Sequence, residues 1–326
     1  MRREKDGFVL VAIIWIIAIL TVLTLGLANR ALVDQRAAAL SLDKSKAQYR
    51  ARGAVQYAVA DIQNKAMIEQ LMISARERAA ASGVHASINM TGSGFQRGGV
   101  HTVTLSSADG VFSAAGTENA NSVRYTVSDE ESRISLNTAP EVLLDEIDGL
   151  SFRAVSAIMQ HRGGELNPEE QNLFLTVEEA RFLEGIDEYD WQGSDDEPGL
   201  RELFTVHGAG RINLNSASRE VLLAIPDVDE GVVESVINYR VGGDRELNTA
   251  DDRSFRSMES VSAVTGVEPT ALAPIQQYCT LESQFFTITG FASERQGKVR
   301  AASQAIVHIQ PGSAALLSWS EGELGP

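Results

Sequence analysis

The sequence predicts an α+β fold: one long N-terminal helix, an antiparallel sheet packed on its outer half, and a large α-helical insertion interrupting that sheet. Three observations predict it. Residues 8–28, FVLVAIIWIIAILTVLTLGLA, carry no charge. Near Val100 the apolar period shortens to two, and that strand texture returns only after residue 284. Between the two strand regions, RISLNTAPEVLLDEIDGLSFRAVSAIMQHR (133–162) is answered by RINLNSASREVLLAIPDVDEGVVESVINYR (211–240), the mark of an internal duplication.

The uncharged run is the first element. Twenty-one helical residues at about 1.5 Å each reach roughly 30 Å, the thickness of a bilayer's hydrocarbon core. A secretory signal carries its small-residue cleavage site behind a shorter apolar stretch. Here the small-residue junction, Gly7-Phe8, stands in front of the run, after the leader MRREKDG. Cleavage there would remove residues 1–7 and leave the helix on the mature chain; an uncut single-pass anchor is the alternative. Arg2, Arg3 and Lys5 before the run and Arg30 and Arg36 after it give little positive-inside bias. About 300 residues follow the helix, so the bulk of the chain lies on its C-terminal side.

Residues 29–64 hold no proline and place Leu40, Ala47, Ala51, Val55, Ala58 and Ile62 at helical spacings, so the helix continues outward with one apolar face. A second helical piece, 67–81, is expected after a kink, and Gly83 with the T-G-S-G run at 91–94 ends the helical texture. VHTVTL, GVFSAAG, SVRYTVSDE, FFTITGFASE and KVRAASQAIVHIQ then alternate as strands with one face against the helix. Asp129-Glu130-Glu131, at a strand end, reads as a solvated turn, and the tail after Pro311 as a loose end. The first strands thus close a unit at 29–136, and 282–326 completes the sheet.

The insertion, 137–281, divides into repeats at about 137–205 and 213–281. Asn137 answers Asn215 and Arg162 answers Arg240. Each copy opens on Asn-Ser/Thr-Ala, a signal able to cap a helix, and continues as helix, tight turn (Asp148-Gly149, Asp227-Val228) and second helix. An acidic loop and a shorter helix follow, at 175–186 and 256–267. This is a helix-hairpin-helix pattern.

Charge limits what that pattern can bind. The whole chain has a net charge of −16, whereas residues 137–281 alone hold ten arginines, no lysine and twenty-eight acidic residues, a net of −18. Such a field repels phosphate backbones and attracts cations. The second hairpin even places Asp227, Asp229 and Glu230 where an anion would dock. Two acidic loops offer oxygen ligands for calcium: Asp187 and Asp190 leading to Asp195 and Asp196, and Asp244 with Asp251 and Asp252. Neither has EF-hand spacing. The five histidines are scattered, with no metal-ligand spacing, nucleophile elbow or phosphate loop, so a catalytic role finds no support. Cys279 alone excludes an intramolecular disulfide and reads as a small buried residue near a helix end.

Leader, anchor helix, split sheet and inserted duplicate together resemble the minor pseudopilin K (GspK) family of type II secretion systems. The tandem R-I-x-L-N-x-A stretches resemble that family's inserted helical domain. Pilin-like chains usually carry Glu at the fifth mature position; counted from Phe8 that position is Ala12, and this gap is typical of the K type. The resemblance implies a pseudopilin-type sheet with SAM-like helix-hairpin-helix repeats, cleavage after Gly7 by prepilin peptidase and methylation at Phe8. It implies a noncatalytic subunit in the bacterial inner membrane, its large part in the periplasm. There it would cap the pseudopilus with minor pseudopilins I and J, above the major pseudopilin, and help start assembly. It further implies calcium in the insertion and no nucleic acid. The alternative is a membrane-anchored helix-hairpin-helix DNA receptor of competence type, which would need a basic surface.

Overall fold

The computed structural model describes residues 4–81, 101–108, 111–114, 123–163, 172–194, 198–245, 252–268, 272–310 and 312–324, with backbone alone at 4–8, 65–81, 101–114 and 323–324. Helix α1 (Glu4–Ala81) runs 78 residues without a break, about 115 Å at the α-helical rise. The second helical piece expected from residue 67 is continuous with the first. No proline interrupts residues 1–81, and nothing in their pattern forces a bend. The turn signals at 83 and 91–94 lie outside the described residues. From Val9 the helix is long and apolar enough to cross a membrane (mean hydropathy 2.8), and none of its most apolar stretch is buried against protein. It is apolar all round there, as a helix facing lipid is.

The outer half of α1 behaves differently. Ala47, Ala51, Ala54, Val55, Ala58 and Ile62 are buried along one stripe, while Leu40 is exposed, below the point where the sheet begins to cover the helix. The stripe packs on strand β3 (Val123–Asp129), which pairs with β1 (His101–Ala108), itself paired with β2 (Val111–Ala114), and on strands that arrive after the insertion.

The insertion starts as β4 (Ile134–Ser135), α2 (Glu141–Asp145) and α3 (Phe152–His161). A 3₁₀ helix (Val177–Phe182), α4 (Glu188–Gln192), α5 (Leu200–Leu203) and β5 (Phe204–Thr205) complete its first half. The second half repeats the plan with β6 (Ile212–Asn213), α6 (Arg219–Leu223), α7 (Glu230–Arg240), α8 (Met258–Thr265), α9 (Ala273–Tyr278) and β7 (Cys279–Thr280). β4 pairs with β5, and β6 with β7, both in parallel. The insertion has its own hydrophobic core, from Ile134 to Cys279, sharing no buried residue with the core between helix and sheet. Cys279 is fully buried where α9 passes into β7, and burial pushes its thiol up to about 12.

The two halves use the same fastenings. Asn137 donates to the carbonyls of Phe174 and Val206 (both 3.0 Å) and accepts from Phe174 N–H. Asn215 does the same with Phe255, Leu281 and Phe255 N–H (2.9, 3.0 and 2.7 Å). Neither asparagine caps the following helix, contrary to expectation: α2 starts after Pro140 without a side-chain cap, and Ser218 caps α6. Each amide instead satisfies backbone groups of an extended segment that no regular ladder reaches. Arg162 donates to Leu136 and Ala139 carbonyls and Arg240 to that of Ala217. His161 stacks on Phe174 as Tyr239 stacks on Phe255. Gly149 (φ 78°) and Asp227 (φ 59°) hold the same left-handed turn.

After the insertion come β8 (Phe285–Glu294), β9 (Val299–Gln310) and β10 (Ser313–Leu324). They complete an antiparallel sheet of order β10-β9-β8-β3-β1-β2. The expected loose tail is therefore an edge strand. Gly312 (φ 84°) turns the chain back and β10 pairs along the length of β9, with a register shift between Leu316 and Ser318. That irregularity breaks the alternation by which a strand is read. At Gly290 in β8 an added Cβ would lie 2.3 Å from the carbonyl oxygen of Ala51, so helix and sheet touch backbone to backbone. Ion pairs tie the same surfaces: Arg50 to Glu294 (2.5 Å), Asp43 to Arg295, and Arg52 to Glu321. The Arg52 guanidinium, bonded to Glu321, holds that carboxyl down to about 2.

Candidate functional site

Sheet and insertion meet at the end of β3, where the chain carries three carboxylates in a row. Asp129 ends the strand, and Glu130 and Glu131 open a 3₁₀ turn that Asp129 caps through the N–H of Glu131. The solvated turn expected here is a buried joint: Asp129, Glu130 and Glu131 are 5%, 5% and 3% exposed.

Each carboxylate gathers donors from both sides of the joint. Asp129 Oδ2 accepts from Asn213 Nδ2 (2.9 Å) and Ser216 Oγ (2.5 Å) of the insertion, and from Ser283 Oγ (2.6 Å) just before β8. Glu130 accepts from Thr205 Oγ1 at the end of β5 and Thr287 Oγ1 in β8, both at 2.5 Å. Glu131 accepts from the N–H of Ala209 (2.9 Å) and of Gln284 (2.7 Å). Burial holds the carboxyls of Asp129 and Glu131 above the ordinary range; the donors counter it without reversing it. Taking these groups out of water is costly, and once paired they fix one geometry between their partners. Spacing gave no sign of this, because the donors lie about 70 to 160 residues away. A cavity of about 10 Å³ beside Glu131, Ser135 and His207 is too small for any substrate.

The other residues singled out by sequence lie apart from this joint. Gly7, Phe8 and Ala12 all sit within α1, near its start. Asp187 caps α4, accepting from the N–H of Asp190 (2.9 Å), and burial followed by the charge of Asp187 raises the Asp190 carboxyl. Asp244 and Asp252 flank the segment after α7, while Asp195, Asp196 and Asp251 lie outside the described residues. Among the described residues no three His, Cys, Asp or Glu side chains stand together as a metal site. In the second hairpin Asp229 accepts the N–H of Gly231 at 2.7 Å, so a carboxylate already holds the backbone donor that a phosphate would need.

No family model and no curated protein matches the chain. Among solved structures it is similar to a chain of "The Crystal Structure of the GspK-GspI-GspJ complex from enterotoxigenic Escherichia coli Type 2 Secretion System". That likeness has a TM-score of 0.43 and 12% identity, and covers 64% of this chain and 82% of the other. At that depth, function has to be read from this chain's own residues.

Proposed function

We propose that the chain is a noncatalytic minor pseudopilin of the K type, anchored in the bacterial inner membrane by α1 with its sheet and insertion in the periplasm. It would sit at the tip of a type II secretion pseudopilus with minor pseudopilins I and J, above the major pseudopilin, and help start its assembly. One observation carries this reading. A single unbroken helix is bare and membrane-apolar over residues 9–28 and packed against a sheet from Ala47 to Ile62. Such a helix is an anchor before assembly and a stem afterwards, when neighbouring stems cover its apolar surface.

Two features suit the tip. A buried Glu at the fifth mature position would pair with the N-terminal amine of the next subunit; Ala12 brings no such charge into apolar surroundings. The insertion, with its own core and held by the Asp129–Glu131 joint, would obstruct a further subunit above. Its two halves fit SAM-like helix-hairpin-helix repeats used for packing and partner binding. Calcium in the acidic loops is proposed on their carboxylate content alone.

Prepilin peptidase would cut between Gly7 and Phe8, with methylation at Phe8. Mass spectrometry of the full chain from its host tests this: Gly7→Ala should retain residues 1–7, and normal trimming of that variant would sink the assignment.

A further inference from the structure

The duplication supplies an internal control for reading the insertion's surface. In the first half Val142, Phe152, Leu173, Leu175 and Phe182 are 49–82% exposed. The equivalent positions of the second half hold Glu220, Glu230, Ser254, Arg256 and Ala263. Buried positions match between the halves, as Leu144 matches Leu222, Val155 matches Val233 and Phe174 matches Phe255. The fold therefore accepts polar or small residues at these outer sites, and the apolar ones in the first half serve something outside it.

Part of this surface is drawn together by the backbone. Leu173 and Leu175 flank the inward Phe174, so both face out. Leu175 leads into the 3₁₀ helix that ends at Phe182, and Ser151 Oγ donates to the carbonyl of Gly185 at 3.0 Å. That bond sets the end of the 3₁₀ helix beside the start of α3, where Phe152 stands. Clustered exposed apolar side chains mark binding surfaces.

Charge selects the occupant. Along the segment that carries Leu175 and Phe182 stand Glu178, Glu179, Glu184 and Asp187; Arg153 adjoins Phe152 and Arg181 adjoins Phe182, and Arg181 is engaged by Glu188 at 2.8 Å. An acidic rim in an insertion of net charge −18 repels a second copy, a nucleic acid or an anionic bilayer.

We propose that this face of the first half binds a protein surface with an apolar centre and a basic rim. The inference does not rest on the secretion reading and would survive its failure.

The test is the charge-neutral variant F152E/L175R/F182A, which gives the first half the side chains of the second. Full-length protein in detergent is titrated with a synthetic amphipathic leucine–lysine helix and with its leucine–glutamate counterpart. In the native host, a photoreactive benzoyl-phenylalanine replaces Phe182 or, as control, Ala263. The expected result is binding of the lysine peptide alone, weakened about tenfold or more in the variant (about 1.4 kcal/mol), its melting temperature unchanged. A discrete adduct with a basic protein should form from position 182 and not from 263. Equal affinity of variant and wild type, equal adducts at both positions, no adduct, or adducts only with lipid or a second copy would each overturn it. If the triple variant melts early, F182A alone carries the comparison, read by the same criteria.

Discussion

Gly290 and Asp129 show how much a single position decides. Glycine at 290 lets β8 approach the backbone of α1, and Gly290→Ala puts a methyl 2.3 Å from a carbonyl oxygen in a packed layer. It should destabilise the chain by about 1–3 kcal/mol, read as a lower denaturant midpoint, because neither backbone can yield alone. Asp129→Ala strands Asn213, Ser216 and Ser283 without their shared acceptor and should cost about 2–4 kcal/mol. It should also alter pH dependence. Unfolded carboxyls titrate near 4, and burial holds Asp129 and Glu131 above that. Between the two values the folded chain binds more protons, so their contribution is complete below about pH 4 and fades as pH rises through the raised values. Glu321 acts in the opposite sense, but only as pH falls from about 4.5 towards its own value near 2. Melting followed upward from about pH 4 should therefore show the joint's contribution falling as pH rises, and a shallower fall in Asp129→Ala. An identical slope would remove the acid joint from the pH response.

Among elements, the duplicated halves were legible because the sequence kept the fastenings at one spacing. Asn137 and Asn215 could be paired from the sequence, but not their task, which is to hold the Phe174 and Phe255 segments. The cap expected of them is a local interaction; the tertiary contact took precedence because those segments carry backbone groups that need partners. Asn215 is buried and Asn137 only half-buried. Asn215→Ala should thus cost about 2–4 kcal/mol and Asn137→Ala clearly less, measured by chemical unfolding of each variant. Equal losses would mean that burial does not set their weight. β10 was missed for a local reason: consecutive Leu316 and Leu317 at a register shift hide the period of two.

For the whole molecule, the insertion's charge has to be tolerated at close quarters, and a bound cation would relieve it. If calcium occupies the acidic loops of the folded chain, millimolar calcium should raise the melting temperature and a chelator lower it. Saturation a hundredfold above Kd corresponds to about 2.7 kcal/mol. Identical melting under both conditions would remove calcium from the account. The molecule is organised as two cores joined by three carboxylates, so the orientation of the insertion on its stem depends on a few hydrogen bonds more than on apolar area.

The sequence by itself determined the membrane-length run, the helical stripe from Ala47 to Ile62, the position of the insertion within the sheet, its duplication and its charge. These are properties of composition and period, set by neighbours a few residues apart or by a repeated segment. Only the tertiary structure decided that Asp129, Glu130 and Glu131 are buried, that Gly290 is a point of backbone contact and that the tail pairs as β10. It also placed Phe152 and Phe182 on an outer face. Each of these depends on which distant segment arrives alongside: a carboxylate is solvated or buried according to donors far along the chain, and no local pattern records their arrival.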